Sequence, residues 1–216
     1  MTRMIALAAL PALALATPAL AQDREENPFA GLKVGAELGY DQSHAGSSAP
    51  VTYDSRKIDG LLYGATAGFD APLGSRMVVG PEVEWTDGNA KTSYSQPGFG
   101  LGSVSTGRDL YAGGRLGYVL SPRAMIYAKG GYTNTRYHIR ANDGTTDYRD
   151  DLGAEGYRVG AGVEFKPAQK TFARLEYRYS NYGNAHVIYG NGAPSSSNFD
   201  IDTDRHQIVA AVGVKF

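Results

Sequence analysis

The 216-residue sequence contains no cysteine, so it forms no disulfide and offers no thiolate to a metal ion or a substrate. Its 21 Lys and Arg residues nearly balance 22 Asp and Glu residues, and this net charge of −1 does not indicate a nucleic-acid partner. After residue 21, no run approaches the roughly 18 apolar residues that a membrane-spanning helix needs. These absences leave two possibilities, a soluble protein or one that enters a membrane as strands.

The first 21 residues differ from the rest of the chain. They have a basic start at Arg3, a long apolar run and the small-residue ending Ala19-Leu20-Ala21, a pattern typical of a cleaved secretory signal peptide. The alternative is a membrane-anchoring helix, which Pro11 and Pro18 disfavour. We predict a signal peptide over residues 1–21, a short periplasmic lead-in over 22–30 and one domain over 31–216.

Glycine and tyrosine are abundant, at 28 and 15 residues, and apolar and polar residues alternate in many short runs. The stretch "ARLEYRYSNYG" at 173–183 places Arg174, Glu176 and Arg178 on one parity, with Leu and Tyr residues between them. Because successive side chains of a strand point to opposite faces, this is a strand with one charged and one apolar face.

Eight such segments of about ten residues follow residue 31. The predicted strands are Leu32–Tyr40, Gly60–Phe69, Met77–Thr86, Asp109–Leu120, Met125–Thr135, Gly156–Lys166, Phe172–Ser180 and Arg205–Phe216. Short turns are predicted at 70–76, 121–124 and 167–170, and long polar loops at 41–59, 87–108, 136–155 and 181–204. This alternation predicts an all-β fold, an eight-stranded antiparallel up-and-down transmembrane β-barrel with four long extracellular loops and short periplasmic turns.

A soluble barrel would also alternate, but with its apolar face inward. Here the charged parity repeats glycine, which has no reason to recur on a solvated surface but makes room for Arg and Glu in a narrow barrel interior. We therefore expect the charged parity to face the lumen, where opposite charges must pair. The predicted lumen charge network consists of Lys33, Glu37, Glu82, Glu84, Arg115, Lys129, Arg158, Glu164, Arg174, Glu176 and Arg178.

Aromatic residues on the apolar parity are sorted toward the two ends of the strands, with aliphatic residues between them. Two such girdles are typical of a strand wall that crosses two membrane interfaces. The girdle toward the long loops comprises Tyr40, Tyr63, Trp85, Tyr132, Tyr157 and Tyr179; the girdle toward the short turns comprises Phe69, Tyr118, Phe165 and Phe216.

Four stretches carry a family resemblance: "LEYRYSNYG" (175–183), "YAKGGYTNTR" (127–136), "RLGYVLSPRAMIYAKGGY" (115–132) and "HQIVAAVGVKF" (206–216). With them, the sequence resembles the small outer-membrane β-barrel proteins of the opacity and OmpA-like group, often called porin-family surface antigens of Gram-negative bacteria. The resemblance implies a location in the cell outer membrane, contact with outer-membrane lipid and lipopolysaccharide, and insertion by the barrel-assembly machinery. It also implies that the terminal Phe216 is the assembly signal.

Candidate chemistry is sparse. The four histidines, His44, His138, His186 and His206, lack metal-ligand spacing, and three of them are expected in or beside loops. The acidic stretch 147–155 and the glycine-rich stretch 98–103 are both interpreted as loops. We predict no catalytic, cofactor-binding or metal-binding residue.

The leading hypothesis for function is structural: a non-enzymatic barrel that supports envelope integrity and displays surface loops. The alternative is a narrow porin-like channel for ions or small solutes, which eight strands disfavour because open aqueous lumens come with about 16 strands. A second alternative is an outer-membrane lipid-modifying enzyme, for which the sequence shows no G-x-S-x-G motif. The ligand of the loops is not identified by the sequence.

Overall fold

The computed structural model describes residues 27–46, 57–89, 91–96, 100–142, 147–188 and 194–216. The predicted signal peptide and most of the lead-in lie outside the described residues. The strand segments are β1 (Gly31–Gly46), β2 (Lys57–Leu73), β3 (Met77–Gly88), β4 (Lys91–Gln96), β5 (Gly100–Ser121), β6 (Ala124–Asn142), β7 (Asp147–Phe165), β8 (Thr171–Ile188) and β9 (Pro194–Lys215). The described residues include no helix long and apolar enough to cross a bilayer.

Antiparallel pairing joins these segments into a closed barrel. The order is β3-β2-β1-β9-β8-β7-β6-β5-β4, and β3 also pairs with β5, from Met77↔Tyr118 to Thr86↔Asp109, which closes the ring. Because β3 and β4 both pair with β5, they form one barrel strand in two segments. The predicted fold class, an eight-stranded antiparallel barrel, is confirmed.

The alternation seen in the sequence becomes an apolar exterior and a charged interior. In β8, Leu175 is 53% exposed on the outside, whereas the next residue, Glu176, is 1% exposed on the inside. In β9, Val212 is exposed while its neighbour Ala211 is buried. The large apolar side chains of the described wall therefore face the surroundings of the barrel, as they do in a lipid-embedded strand wall.

The strands are longer than predicted, and this corrects the loop boundaries. β1 runs to Gly46, β6 to Asn142 and β8 to Ile188, well inside the segments predicted as loops. The stretch 147–155 lies in β7, and the part of 98–103 that is described, from Gly100, lies in β5. The prediction ended strands where apolar alternation stopped, but backbone pairing between strands continues where both faces are polar.

All four histidines lie in strands, which corrects the expectation that three would be in or beside loops. They occupy β1, β6, β8 and β9, respectively. His138 is exposed, and its Nδ1 lies 2.6 Å from Oδ1 of Asp151, its partner across β6 and β7.

Glycines do face the interior, and some of them make room for aromatic rings as well as for charges. Gly35 of β1 and Gly213 of β9 are cross-strand partners beneath the buried ring of Phe172. A Cβ atom at Gly35 would lie 2.8 Å from Cζ of Phe172, and one at Gly213 would lie 2.6 Å from Cε1. Backbone atoms also exclude a side chain at this pair, because a Cβ at Gly213 would overlap the carbonyl oxygen of Val34 and one at Gly35 would lie 2.8 Å from that of Val212.

Residues 27–30 form a turn that enters the short-turn end of the barrel, and we call this segment the N-terminal plug. Phe29 is completely buried and packs with Val78, Val119, Met125 and Tyr127. Its N–H donates to Oδ1 of Asn27 at 3.1 Å. The sequence predicted this segment as part of a simple lead-in; burial of an aromatic ring instead makes it part of the barrel interior.

Candidate functional site

The barrel lumen holds three connected charge clusters, which are described from the short-turn end upward. In the lowest, Nζ of Lys33 lies 2.5 Å from Asp70 and 2.9 Å from Glu164. Glu164 also accepts from Arg115 at 2.8 Å. The Arg115 guanidinium stacks 4.3 Å from the ring centroid of Tyr127. All five side chains are buried, so these charges rely on one another rather than on water.

The central cluster is organised around Lys129. Its Nζ donates to Glu82 at 3.0 Å and to Glu84, and lies 2.7 Å from Glu176. One carboxylate oxygen from each of these three residues lies within 4.8 Å of the others, which is the spacing that could hold a metal ion. Here the Lys129 ammonium is the cation that the three carboxylates surround.

Two arginines of β8 complete the central cluster. Arg174 donates to Glu82 at 2.6 Å and to Glu37 at 2.5 Å. Arg178 donates to Glu37 at 2.9 Å and to Glu84 at 2.8 Å. Because each carboxylate serves at least two cations, this cluster is a continuous network across the lumen and not a set of separate pairs.

The upper cluster, toward the long loops, centres on Asp109. This carboxylate accepts from Arg158 and Arg205, each at 2.6 Å, and from Thr133 at 2.8 Å. Arg205 also binds Asp41 through two guanidinium nitrogens. Arg158 also lies 3.4 Å from Glu84, and this ion pair joins the upper cluster to the central one.

A cluster of buried tyrosines lies beside the upper charge cluster, on the side of the long loops. Tyr182 and Tyr137 are buried and pack with Ala154 and Leu152. The Tyr182 hydroxyl donates to Asp109 at 3.3 Å, whereas the Tyr137 hydroxyl has no hydrogen-bond partner among the described residues. Burial raises the pKa of the Tyr137 hydroxyl, so this ring remains neutral.

The structure places all eleven residues of the predicted lumen network in the interior, where each is buried. It brings each of them into contact with an oppositely charged partner from another strand, over sequence separations as large as 141 residues. It also adds three charged residues that the predicted set did not include: Asp41, Asp70 and Asp109. Each of these has the inward parity of its own strand, so parity was the available signal.

The predicted girdle residues lie on the outer face. All are exposed except Tyr179, which is half-buried. Tyr179 lies 6.4 Å from Tyr157 between ring centroids and donates to Asp204 at 2.5 Å. The exposed Phe216 carries the last aromatic ring of the short-turn girdle, and its N–H donates to the carbonyl of Leu32 at 2.9 Å.

Comparison with known proteins agrees with this architecture. The sequence matches the outer membrane protein beta-barrel domain family over residues 5–216. A 25 kDa outer-membrane immunogenic protein of Brucella ovis is 32% identical over 167 residues, covering 77% of this chain and 76% of that protein. A 31 kDa outer-membrane immunogenic protein of Brucella melitensis is 26% identical over 136 residues, covering 60% of this chain and 57% of that protein.

A solved structure has a similar fold. The outer membrane protein OprG from Pseudomonas aeruginosa superposes with a TM-score of 0.51 at 13% identity, over 87% of this chain and 96% of that one. At this identity the likeness supports the fold alone.

Proposed function

Because the chain belongs to the outer membrane protein β-barrel domain family, we propose that this outer-membrane surface protein is a structural barrel that does not conduct ions. The wall anchors it in the membrane, and the long-loop end is presented outside the cell. In this role the lumen network holds the wall together and has no catalytic part. The family relationship supports the membrane location, and the contents of the lumen support the absence of conduction.

The closed lumen carries this proposal. From the short-turn end upward, the described interior contains the N-terminal plug, the three charge clusters and the aromatic group of Tyr137 and Tyr182. Side chains reach across the interior to the far side of the ring, as Arg178 of β8 does to Glu84 of β3, four strands away. An ion passing through would have to displace buried ion pairs, each of which is costly to break.

Conductance in planar bilayers tests this proposal. The folded protein, checked by its altered gel mobility before heating, should show no stable single-channel steps, while a wide-pore porin in the same bilayer should. Steady steps from the folded protein would instead support the narrow-channel alternative.

We also propose that the long-loop end is outside the cell, as expected for relatives whose names call them immunogenic. Since the chain has no cysteine, single cysteines can report orientation. Gly183→Cys places a thiol beyond the upper girdle, where a Cβ meets no atom within 4 Å. Ala168→Cys places one in an exposed short turn. A membrane-impermeant maleimide should label intact cells at position 183 and not at position 168. The reverse labelling pattern would mean that the short-turn end faces the outside of the cell.

Export through the predicted signal peptide and insertion by the barrel-assembly machinery remain part of the proposal, with Phe216 as the recognised residue. Its ring is 74% exposed, so it is not needed for the interior. Phe216→Ala should therefore lower the amount of barrel in the outer membrane without changing the unfolding midpoint of the protein that does assemble. Phe165→Ala is the matched control, because it removes another ring of the same girdle.

A further inference from the structure

The exposed side-chain charges on the rim of the barrel at the short-turn end are of one sign. Each short turn contributes one exposed cation: Arg76 between β2 and β3, Arg123 between β5 and β6, and Lys170 between β7 and β8. The acidic side chains nearest in the sequence, Asp70 and Glu164, are buried inside and paired with Lys33. Among the described residues, the rim therefore exposes only positive side-chain charge.

Backbone hydrogen bonds bring the cation-bearing turns next to one another. The N–H of Lys166 donates to the carbonyl of Arg123 at 3.0 Å, and that of Lys215 donates to the carbonyl of Lys170 at 2.9 Å. The side chains of Lys166 and Lys215 both donate to the carbonyl of Pro28, at 2.6 and 2.7 Å. These two lysines thus hold the N-terminal plug, whereas the cations of the turns point to the surroundings.

A cleft of about 560 Å³ opens beside one of these turns, and we call it the rim cleft. Two hydrogen bonds fix its walls: Val119 N–H donates to the carbonyl of Arg76 at 2.7 Å, and Asn27 donates to the carbonyl of Met77 at 3.3 Å. The cleft is lined by Asn27, Pro28, Ser75, Arg76, Leu120 and Ser121. Val119 and Pro122 complete the lining, so the cleft combines a guanidinium, two hydroxyl groups and an amide with several apolar side chains.

The position of the cleft relative to the membrane indicates which ligand it binds. Leu120, on its wall, is 59% exposed on the apolar exterior, and Leu73 is exposed on the hairpin that carries Ser75. Along the same rim, Lys166 directly follows the exposed Phe165. The cleft thus opens where the apolar wall gives way to charge, which is the depth of lipid headgroups, and cations at this boundary extend toward them.

We propose that the rim cleft binds the phosphate of an anionic phospholipid in the leaflet on the short-turn side. Arg76 pairs with the phosphate, Ser75 and Ser121 offer hydroxyl donors to its oxygens, and the acyl chains continue along Leu120. Arg123 and Lys170 attract further anionic headgroups around the rim. An arginine suits this role because its planar guanidinium donates to two phosphate oxygens at once.

Lipid enrichment around the folded protein tests the proposal. The protein is placed in bilayers of mixed phosphatidylglycerol and phosphatidylcholine, and lipids that stay bound are identified by native mass spectrometry. Each basic residue near an anionic surface changes the partition by a factor of roughly five. The double variant Arg76→Gln with Arg123→Gln should therefore lower phosphatidylglycerol enrichment by about tenfold or more.

The matched control removes two arginines beyond the opposite girdle, Arg108→Gln with Arg136→Gln. It should leave the enrichment unchanged, and both variants are checked for folding by gel mobility before heating. An equal loss in both variants, or no loss in the rim variant, would overturn the proposal. Ser75→Ala distinguishes binding in the cleft from general attraction by the positive rim, because it leaves the rim charge unchanged. A several-fold drop in phosphatidylglycerol enrichment supports binding in the cleft, and an unchanged enrichment contradicts it.

Two further arms distinguish other anions. Excess inorganic phosphate should not displace the bound lipid, because the apolar wall beside Leu120 contributes to binding; full displacement would mean that the site recognises phosphate alone. Isolated peptidoglycan should not sediment with the protein through Arg76 and Arg123. Sedimentation that depends on these residues, without lipid enrichment, would assign the rim to the cell wall and overturn the lipid proposal.

Discussion

The central and upper charge clusters compensate their buried charges in different ways. The central cluster sets Lys129, Arg174 and Arg178 against four carboxylates and shares nearly every charge among several partners. The upper cluster sets two arginines against Asp41 and Asp109 and adds hydroxyl donors such as Thr133. In the central cluster, charges are compensated mainly by other charges, with hydroxyl groups of Tyr127 and Thr66 added; in the upper cluster, hydroxyl groups carry a larger share of the compensation.

The largest expected effect comes from removing a shared charge in the central cluster. Arg178→Met leaves Glu37 and Glu84 short of a donor in a buried site, and should lower the free energy of unfolding by about 3–5 kcal/mol. Urea unfolding in lipid vesicles, followed by the fluorescence of Trp85, the single tryptophan, measures this. Arg178→Lys is the control and should recover part of the loss; an unchanged midpoint would mean that the network does not stabilise the barrel.

A smaller loss is expected in the upper cluster. In Arg205→Met, Asp109 keeps Arg158 at 2.6 Å and Thr133 at 2.8 Å, and only Asp41 loses its main partner. We expect a cost of about 2 kcal/mol in the same unfolding assay, because two carboxylates lose a donor here, whereas three lose one in Arg178→Met. A loss as large as that of Arg178→Met would remove the distinction between the clusters.

Two Tyr→Phe substitutions, one in each cluster, compare the two clusters through the loss of a single hydroxyl group. Tyr127 donates to Glu176 at 2.6 Å in the central cluster, and Tyr182 donates to Asp109 at 3.3 Å in the upper one. Tyr127→Phe should cost about 2 kcal/mol and Tyr182→Phe about 0.5 kcal/mol, because both acceptors are buried carboxylates but the first bond is much shorter. Equal costs would contradict the proposed difference in environment.

The smallest effect is a response to salt. If the upper cluster lies nearer to water, raising the ionic strength should shrink the penalty of Arg205→Met by a few tenths of a kcal/mol and leave that of Arg178→Met unchanged. Repeating both unfolding curves at low and high salt measures this difference. A central penalty that falls with salt would indicate that ions reach the interior.

Much of this architecture follows from period-two alternation alone. The parity of Glu176 and Leu175 determines which of them is inside once the apolar face is assigned to lipid, and this logic extends to every strand of the wall. Alternation cannot identify partners, because the contact between Arg178 and Glu37 depends on strand order and on barrel closure.

The omissions have physical causes as well. Asp41 lies just beyond the aromatic residue at which the predicted strand ended, so a buried acid was assigned to a loop. Phe29 lies before the first strand, where no periodicity applies, and its burial depends on a space between strands that are distant in sequence. Strand pairing in polar segments, such as β6 with β7 up to Asn142↔Asp147, leaves no apolar signal at all.

The attachment of the N-terminal plug links the first strand to the last. The Pro28 carbonyl accepts from Lys215 of β9 and from Lys166, so its binding position exists only after β9 has joined β1 and β8. Residues that leave the export machinery first are consequently the last to be secured. Burial of Phe29 would then occur only in a fully assembled barrel. A protease that cleaves near Phe29 could therefore distinguish fully assembled barrels from partly assembled ones.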